Sequence, residues 1–565
     1  MDTGLLASVE AYDVKFLPIV KAYSDKIGLV ETINQLVPSE MDVPPGQIVL
    51  AMILDTLTGR SPLYHLESFL QMQDIELLLG KAYSAKSFND DNVERALDKI
   101  FDVGTMKIFS EVALHATEIF SVKKKYVHFD TTSVSVDGEY RPGCDDPFTI
   151  TFGHSKDNRK DLKQFVLSLL CVDRNVPIFG KTEDGNSSDK IVNNVILSEI
   201  SCRMAKFGVE KGAYIYVADS ALVSEMNLRS MEGTLFVTRL PSIYNECARV
   251  ISEAISKNEW KDLGIIAKTK PTIHRPGTSY KVYETQVSLY GAIYRAVVTH
   301  SSAHDRRRQK RIDRELKEDR KVLDGSIKDE SKQEYFCRPD AEAAAKRLSL
   351  TQSEYHELAI EIVEKPMYGR GRPKKEEPRE VKETRYALAV TVKEKEEAVA
   401  KKREEAGCFV LLSNVPKEGE MAHTEAEILT VYKEQNGIEQ NFGFLKDPLI
   451  VNSIFLKKPE RIEALGLILL LALLIWRLME RSMREYVEVN KTKIIGLNNR
   501  PTDRPTSHMI TRTFHCVILI KTGDGRRLAR PLSDAQQDYL KALGVSAAIF
   551  TIPAPSGELL AAGCG

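Results

Sequence analysis

The chain has almost no excess charge of either sign: 79 basic side chains stand against 80 acidic ones in 565 residues, a formal net charge of −1. A polyanionic partner would have to be held by local patches, because the field of the whole molecule does not attract it. Eight cysteines (Cys144, Cys171, Cys202, Cys247, Cys337, Cys408, Cys516, Cys564) are scattered with no CxxC pair. That spacing argues against a structural zinc site or a disulfide framework and fits a reducing cytoplasm. The histidines form no ligand set; only His128 lies near the residues singled out below, and it reads as packing or as a support behind the ligands rather than as a ligand. The opening Met1-Asp-Thr-Gly4 lacks a basic region followed by an apolar core, so no export signal is expected. Long uncharged runs are missing too. Ala464 to Trp476 is 13 residues without a charge, short of the about 20 that cross a bilayer. Arg461, Glu463, Arg477, Glu480 and Arg481 crowd both ends, which predicts a buried core helix. What remains is a soluble, multi-domain reading: 43% of residues are hydrophobic, enough for several cores.

Residues 1–120 alternate helical patterns with short breaks, such as Gly46 to Leu57 after Pro44-Pro45 and Asp91 to Ile100, and predict an all-helical domain. Its helices could include a helix-turn-helix reader of DNA. After Lys123-Lys124-Lys125 the period becomes that of strands, at Tyr126–Val136, Phe148–Phe152 and Phe165–Val172. A helix from about Asp189 to Phe207, a strand Tyr214–Ala218, a short helix after Leu222 and a strand Thr234–Thr238 follow. This order predicts an α/β domain, a mixed sheet with helices packed on it, over 121–240. The pattern breaks over 241–400, an insertion with strands within Lys281–Thr299 and Tyr386–Val392 and a solvated helix at His304–Lys321. Core character returns over 401–490 with the strand Cys408–Ser413. Residues 491–565 offer a strand near Cys516–Ile520, a helix near Asp534–Leu543 and no chemistry.

Three acids stand out. Asp130 lies inside the first strand, where a charge is awkward unless something demands it; the plain alternative is a turn with Thr131 and Thr132. Asp219 directly follows a strand, where ligands gather in α/β sheets, and where an Asp is also the ordinary N-cap of the next helix. Asp137 is a weaker alternative to Asp130, since an odd step along a strand faces the other side. Glu439 lies in a segment that, wound as one helix, puts Tyr432, Gln435, Glu439 and Lys446 on one arc of about 60°. Two strand acids and a helix acid could converge on two Mg²⁺ ions, one activating the attacking oxygen and one stabilising the leaving oxygen of a phosphodiester.

These residues resemble the DDE transposases of bacterial and archaeal insertion sequences, in the group with a Tyr-x2-Arg-x3-Glu-x6-Lys signature. Tyr432, Glu439 and Lys446 match its spacing, with Gln435 where arginine is usual. Asp130 in Val-His-Phe-Asp-Thr-Thr and Asp219 in Tyr-Val-Ala-Asp-Ser-Ala stand for the first two acids. Gly153-His-Ser-Lys-Asp-Asn-Arg-Lys-Asp-Leu-Lys-Gln164 and Gly185-Asn-Ser-Ser-Asp189 are also similar to the family. The resemblance covers about 120–240 and 400–485. It implies a ribonuclease H-like mixed sheet with helices on both faces, interrupted by an insertion domain, plus the helical N-terminal domain. It further implies Asp130, Asp219 and Glu439 as catalytic metal ligands for two Mg²⁺, with Mn²⁺ able to substitute. Tyr432 and Lys446 would hold transposon-end DNA, while Gln435 can hydrogen-bond a phosphate but not neutralise it. A homodimer in the synaptic complex, nucleoid-associated in the cytoplasm, follows from the need to join two ends.

Within the insertion, Gly369-Arg-Gly-Arg-Pro-Lys-Lys375 resembles an AT-hook, so Arg370, Arg372 and Lys374 are candidates for A·T-rich minor-groove contact. A flexible charged linker is the plain alternative. Arg306 to Arg311 could track phosphates, but Glu315, Glu318 and Asp319 follow it. The functional expectation is a transposase that binds terminal inverted repeats and catalyses metal-dependent strand cleavage and transfer on double-stranded DNA. Two alternatives are an inactive end-binding or regulatory protein of the same fold and a ribonuclease H-like nuclease without strand transfer.

Overall fold

A computed structural model describes residues 9–59, 65–136, 138–141, 143, 146–156, 159–267, 271, 276–330, 332–350, 353–369, 381–447 and 458–553. The chain forms two compact units: Met1–Thr238, Asn414–Ala422 and Val431–Gly565 in the first, Arg239–Ser413 and His423–Thr430 in the second.

The first unit opens with β1 (Glu10–Asp13) and seven helices among the described residues: α1 (Leu17–Lys26), α2 (Leu29–Leu36), α3 (Pro45–Leu57), α4 (Leu66–Gln71), α5 (Ile75–Leu79), α6 (Asp90–Val103) and α7 (Thr105–Ile119). Their ends are set locally. Pro45 occupies the first turn of α3, where its missing N–H costs nothing. Asp74 and Asn89 cap α5 and α6 through the amides of Leu77 and Asn92. Every residue of α3 is buried, which makes it the centre of this helical layer.

The sheet follows. β2 (Tyr126–Val136), β3 (Lys163–Val172) and β4 (Val176–Glu183) form an antiparallel meander; α8 (Asp189–Lys206) leads to β5 (Ile215–Val217), and α9 (Glu225–Ser230) leads to β6 (Leu235–Leu240). β5 pairs parallel with β2 and β6 parallel with β5, giving the order β4-β3-β2-β5-β6. This is a mixed α/β architecture, as expected, with one exchange of strands. Phe148–Phe152 contributes only an isolated bridge, Thr151 to Gln164, and the third meander strand is β4. Asp173-Arg-Asn175 is the tight turn that makes this so, with Arg174 and Asn175 both at positive φ.

In the second unit, α10 (Asn245–Lys257), β7 (Lys261–Ile265), β8 (Ser279–Leu289), β9 (Ala292–Ser301), α11 (Ser302–Glu330), α12 (Arg338–Ser349), β10 (His356–Tyr368), β11 (Val381–Glu394), α13 (Glu396–Glu405) and β12 (Cys408–Ser413) follow in turn. β12, β9, β8 and β7 are neighbours in that order, all antiparallel. β10 and β11 form a separate hairpin, registered from His356 opposite Glu394 to Tyr368 opposite Val381. The charge-dense stretch is a helix, longer than expected, that buries only Ile312, Leu316 and Leu323. β10 escaped notice because His356-Glu-Leu-Ala-Ile-Glu-Ile-Val-Glu-Lys alternates without a turn signal at its start. Arg370, Arg372 and Lys374 of the AT-hook-like segment lie outside the described residues, as does Asp137.

The chain then enters α14 (Glu425–Glu434) and α15 (Asn436–Leu445), followed by α16 (Pro459–Val489), β13 (Ile494–Ile495), β14 (Pro501–Thr502), α17 (Ser507–Thr513), β15 (Ile518–Thr522), β16 (Gly525–Leu528) and α18 (Asp534–Leu543). α16 has 31 residues, and its mean hydropathy reaches 2.2 in a window that is 83% buried. It is long and apolar enough to cross a membrane, so the 13-residue estimate undersized it; its burial makes it the core helix the flanking charges predicted. Leu470 of α16 crowds Gly180 of β4, where a Cβ would sit 2.6 Å from Leu470 Cδ1. The guanidinium of Arg203 on α8 lies 3.9 Å from the ring centroid of Phe179, the preceding residue. Adjacent strand residues point to opposite faces, so helices cover both faces of the sheet. The tail has a structural role: β15 pairs antiparallel with β1, and Arg526 reaches Asp74 at 2.6 Å.

Candidate active site

β2 and β5 run parallel, with Tyr126 opposite Ile215, Val127 opposite Tyr216 and His128 opposite Val217. Val217 is the last paired residue of β5; Asp219 follows it by two residues, as Asp130 follows His128 on β2. Asp130 is a quarter exposed, and its Oδ1 accepts from the Thr131 amide at 2.8 Å. Asp219 caps a short 3₁₀ turn, its Oδ1 accepting from the Ala221 amide at 3.0 Å. Its carbonyl accepts from Thr238 Oγ1 at 2.5 Å, which ties the loop to β6. Burial, and then the charges of Asp219 and Asp130, push the Tyr216 hydroxyl well above its ordinary range. One phenol thus lies in the field of both carboxylates. The cap reading of Asp219 is correct, and it leaves the carboxylate at the strand end.

A cation accompanies the pair. Lys156 Nζ stands 4.0 Å from Asp130 Oδ1 and donates to the carbonyl and hydroxyl of Thr131 at 2.7 and 2.9 Å. No local signal in the sequence marks Lys156, although it lies within the Gly153–Gln164 stretch that is similar to the family.

The third acid is placed differently. His128 and Cys171 are a cross-strand pair and share the face of Asp130. Asn441 Nδ2 of α15 donates to Cys171 Sγ at 3.2 Å and to the Asn175 carbonyl at 2.9 Å, so α15 packs on that face. Ile438, Asn441, Phe442 and Leu445 are its buried side, while Glu439 lies on the flank and is exposed. Among the described residues no three His, Cys, Asp or Glu side chains meet as a metal-binding group. Asp130 and Asp219 lie on neighbouring parallel strands, each two residues past the last paired position, and Glu439 does not join them in a metal-binding group. Nor is the segment from Tyr432 to Lys446 one helix. It breaks at Gln435, where the amide bonds back only to Tyr432 and the carbonyl receives Ile438, both three residues away. Gln435 nonetheless keeps helical φ and ψ; Tyr432, Gln435 and Lys446 are half-buried.

α15 is seated by residues the sequence gave no reason to select. Arg477 of α16 donates to Asn441 Oδ1 at 2.6 Å and pairs with Glu480 at 3.1 Å. Gly437 lies against Asn175, where a Cβ would come within 2.0 Å of the amide. Burial pushes the Cys171 thiol up to about 12 and the imidazole of His128 down to about 4. Both are buried and neutral at neutral pH.

Asp130 and Asp219 offer hard carboxylate oxygens that are partly open to solvent and both act on the Tyr216 hydroxyl. Mg²⁺ is commonly held by one or two carboxylates, with water and substrate phosphate completing its shell, so this pair fits such an ion.

Residues 9–114 match the family described as a domain of unknown function (DUF4277), a domain commonly found in transposase-like proteins. The match covers the N-terminal helices and none of the three acids. No curated protein matches the chain.

Proposed function

We propose that this chain is an insertion-sequence transposase that cuts and joins double-stranded DNA through a ribonuclease H-like core. The observation that carries the reading is the placement of Asp130 inside β2 and Asp219 just past the end of the neighbouring parallel strand β5, each two residues beyond the last paired residues His128 and Val217, with α15 packed on the face of Asp130. Three antiparallel strands followed by two parallel strands reached through helices support the ribonuclease H-like assignment. The N-terminal match supports the wider class.

Asp130 and Asp219 hold the first divalent ion. Glu439 completes the set when DNA is bound, by a rearrangement of α15 about the break at Gln435. Bound Mg²⁺ supplies charge stabilisation at the attacking and leaving oxygens of the phosphodiester. Tyr432 and Lys446 hold the end DNA, and two chains act together on two ends. Arg370, Arg372 and Lys374 add minor-groove contact, and the site of action is the cytoplasmic nucleoid.

A supercoiled plasmid carrying the ends of the element that encodes the chain, incubated with the protein and Mg²⁺, tests this. Strand-transfer products support transposition. Cleavage without joining replaces it with a nuclease, and a band shift without cutting replaces it with an end-binding protein. The last outcome has its own support in the exposed, ungathered position of Glu439.

A further inference from the structure

We propose that Lys156 is the resident cation of this acid site and contacts the DNA phosphate held there, an inference that rests on the reading above. The case is geometric. Gly153 packs so tightly that a Cβ would lie 2.1 Å from the Gly185 carbonyl oxygen and 2.6 Å from Gln164 Nε2. A Cβ on Gly185 would lie 1.9 Å from the Gln164 carbonyl oxygen and 2.8 Å from that of Thr151. Gln164 is buried, donates to the Gly185 carbonyl at 2.7 Å, and exchanges backbone bonds with Thr151. The Gly185 amide donates to the Thr149 carbonyl at 2.8 Å. Two glycines and one glutamine thus clasp residues 149–153 to the sheet, and no side chain larger than hydrogen fits at either glycine.

The clasp delivers Lys156. Its amide donates to Ser133 Oγ at 2.9 Å, which lays it along β2 beyond the last residue paired with β5. Its ammonium then reaches Thr131 and stops 4.0 Å from Asp130. It donates to the Thr131 oxygens, forms a long ion pair with the Asp130 carboxylate, and is a third exposed. A cation so placed repels an incoming metal ion and attracts a non-bridging phosphate oxygen. A lysine with only a structural role would also repel the ion, but its loss would not slow cleavage once the metal is saturating.

These opposite signs give the test. The full-length protein and its Lys156→Gln and Lys156→Arg variants are titrated with Mn²⁺, and binding is followed by loss of the free-ion electron paramagnetic resonance signal. Mg²⁺-dependent cleavage of the plasmid carrying the element's ends is measured in parallel. Lys156→Gln binds Mn²⁺ roughly 30-fold more tightly, the effect of removing a unit charge about 4 Å from a divalent ion in a water-like dielectric. Its cleavage falls about a hundredfold, as when one donor to a reacting oxyanion is lost. Lys156→Arg keeps both values close to the parent. Unchanged Mn²⁺ affinity, or affinity and cleavage falling together, overturns the proposal; should Lys156→Gln fail to fold by thermal melt, a loss in Lys156→Arg equal to that of a misfolded protein does the same. Asp219→Asn serves as the control on the underlying reading. If it cleaves normally, the acid site itself is wrong, whatever Lys156 does.

Discussion

Arg477 donates from Nε to Oδ1 of Asn441 at 2.6 Å, and both side chains are buried. The contact fixes which way the Asn441 amide faces, so its nitrogen points at Cys171 and the Asn175 carbonyl. A charge in the core helix thereby sets the seat of the helix that carries Glu439. Glu480 balances Arg477, and also accepts from Arg484 at 2.8 Å and from the Ser507 amide at 3.3 Å. Arg477→Met leaves Glu480 short of a partner and costs about 3 kcal/mol. The urea midpoint should fall accordingly, while an unchanged midpoint would show that Arg484 and Ser507 satisfy Glu480 alone.

Gly437 is the close-approach point between α15 and the turn after β3. Gly437→Ala forces its methyl into the Asn175 amide and destabilises by about 1–3 kcal/mol, the usual cost of overpacking. Asn175 has a φ of 69°, a conformation glycine adopts without strain. Asn175→Gly in the Gly437→Ala background should therefore recover most of the loss. A double-mutant cycle by chemical denaturation checks it, and simple additivity would contradict the contact.

The pairing of the tail with the N-terminal helices has a pH signature. Burial would raise the Asp74 carboxyl, but hydrogen bonds from Arg526 and the Leu77 amide overcome it and hold the group below its ordinary value of 3.8. A depressed native value means the unfolded state binds more protons in this range. The stabilisation is complete above the ordinary value and is lost as pH falls through the native one. Thermal melts of Asp74→Asn should start lower at neutral pH and fall less steeply below pH 3.8 than those of the parent.

Asp130→Asn and Asp219→Asn should each abolish Mg²⁺-dependent DNA cleavage while leaving DNA binding intact. Asparagine caps a helix about as well as aspartate, so Asp219→Asn should shift stability by only a few tenths of a kcal/mol. Cleavage assays and melts on the same preparations separate chemistry from folding. Loss of activity that tracks loss of structure would remove the acids from the mechanism.

What was legible in the sequence follows from local signals. Strand periodicity found β2 and β3, and the odd charge inside β2 found Asp130. The third meander strand was missed because Val176-Pro-Ile-Phe-Gly-Lys-Thr-Glu183 follows a three-residue turn and carries Pro177, which reads as a breaker. The break at Gln435 has a signal in the Asn436-Gly437 that follows it, but φ/ψ there stay helical and only a lost hydrogen bond marks it. Lys156, Asn441 and Arg477 were beyond reach for a different reason. Each acts through a partner far along the chain, a relation that exists only once the sheet and α16 have packed.

The central claim is that Asp130, Asp219 and Glu439 come to share divalent metal when DNA is bound. The most direct test replaces Mg²⁺ with Fe²⁺ in the DNA complex and adds ascorbate and peroxide, so that hydroxyl radicals cut the polypeptide beside the metal. The account predicts cuts clustered at residues near 130, 219 and 439, suppressed by excess Mg²⁺. Cuts near 130 and 219 with none near 439, or no Mg²⁺-sensitive cutting at all, would contradict it.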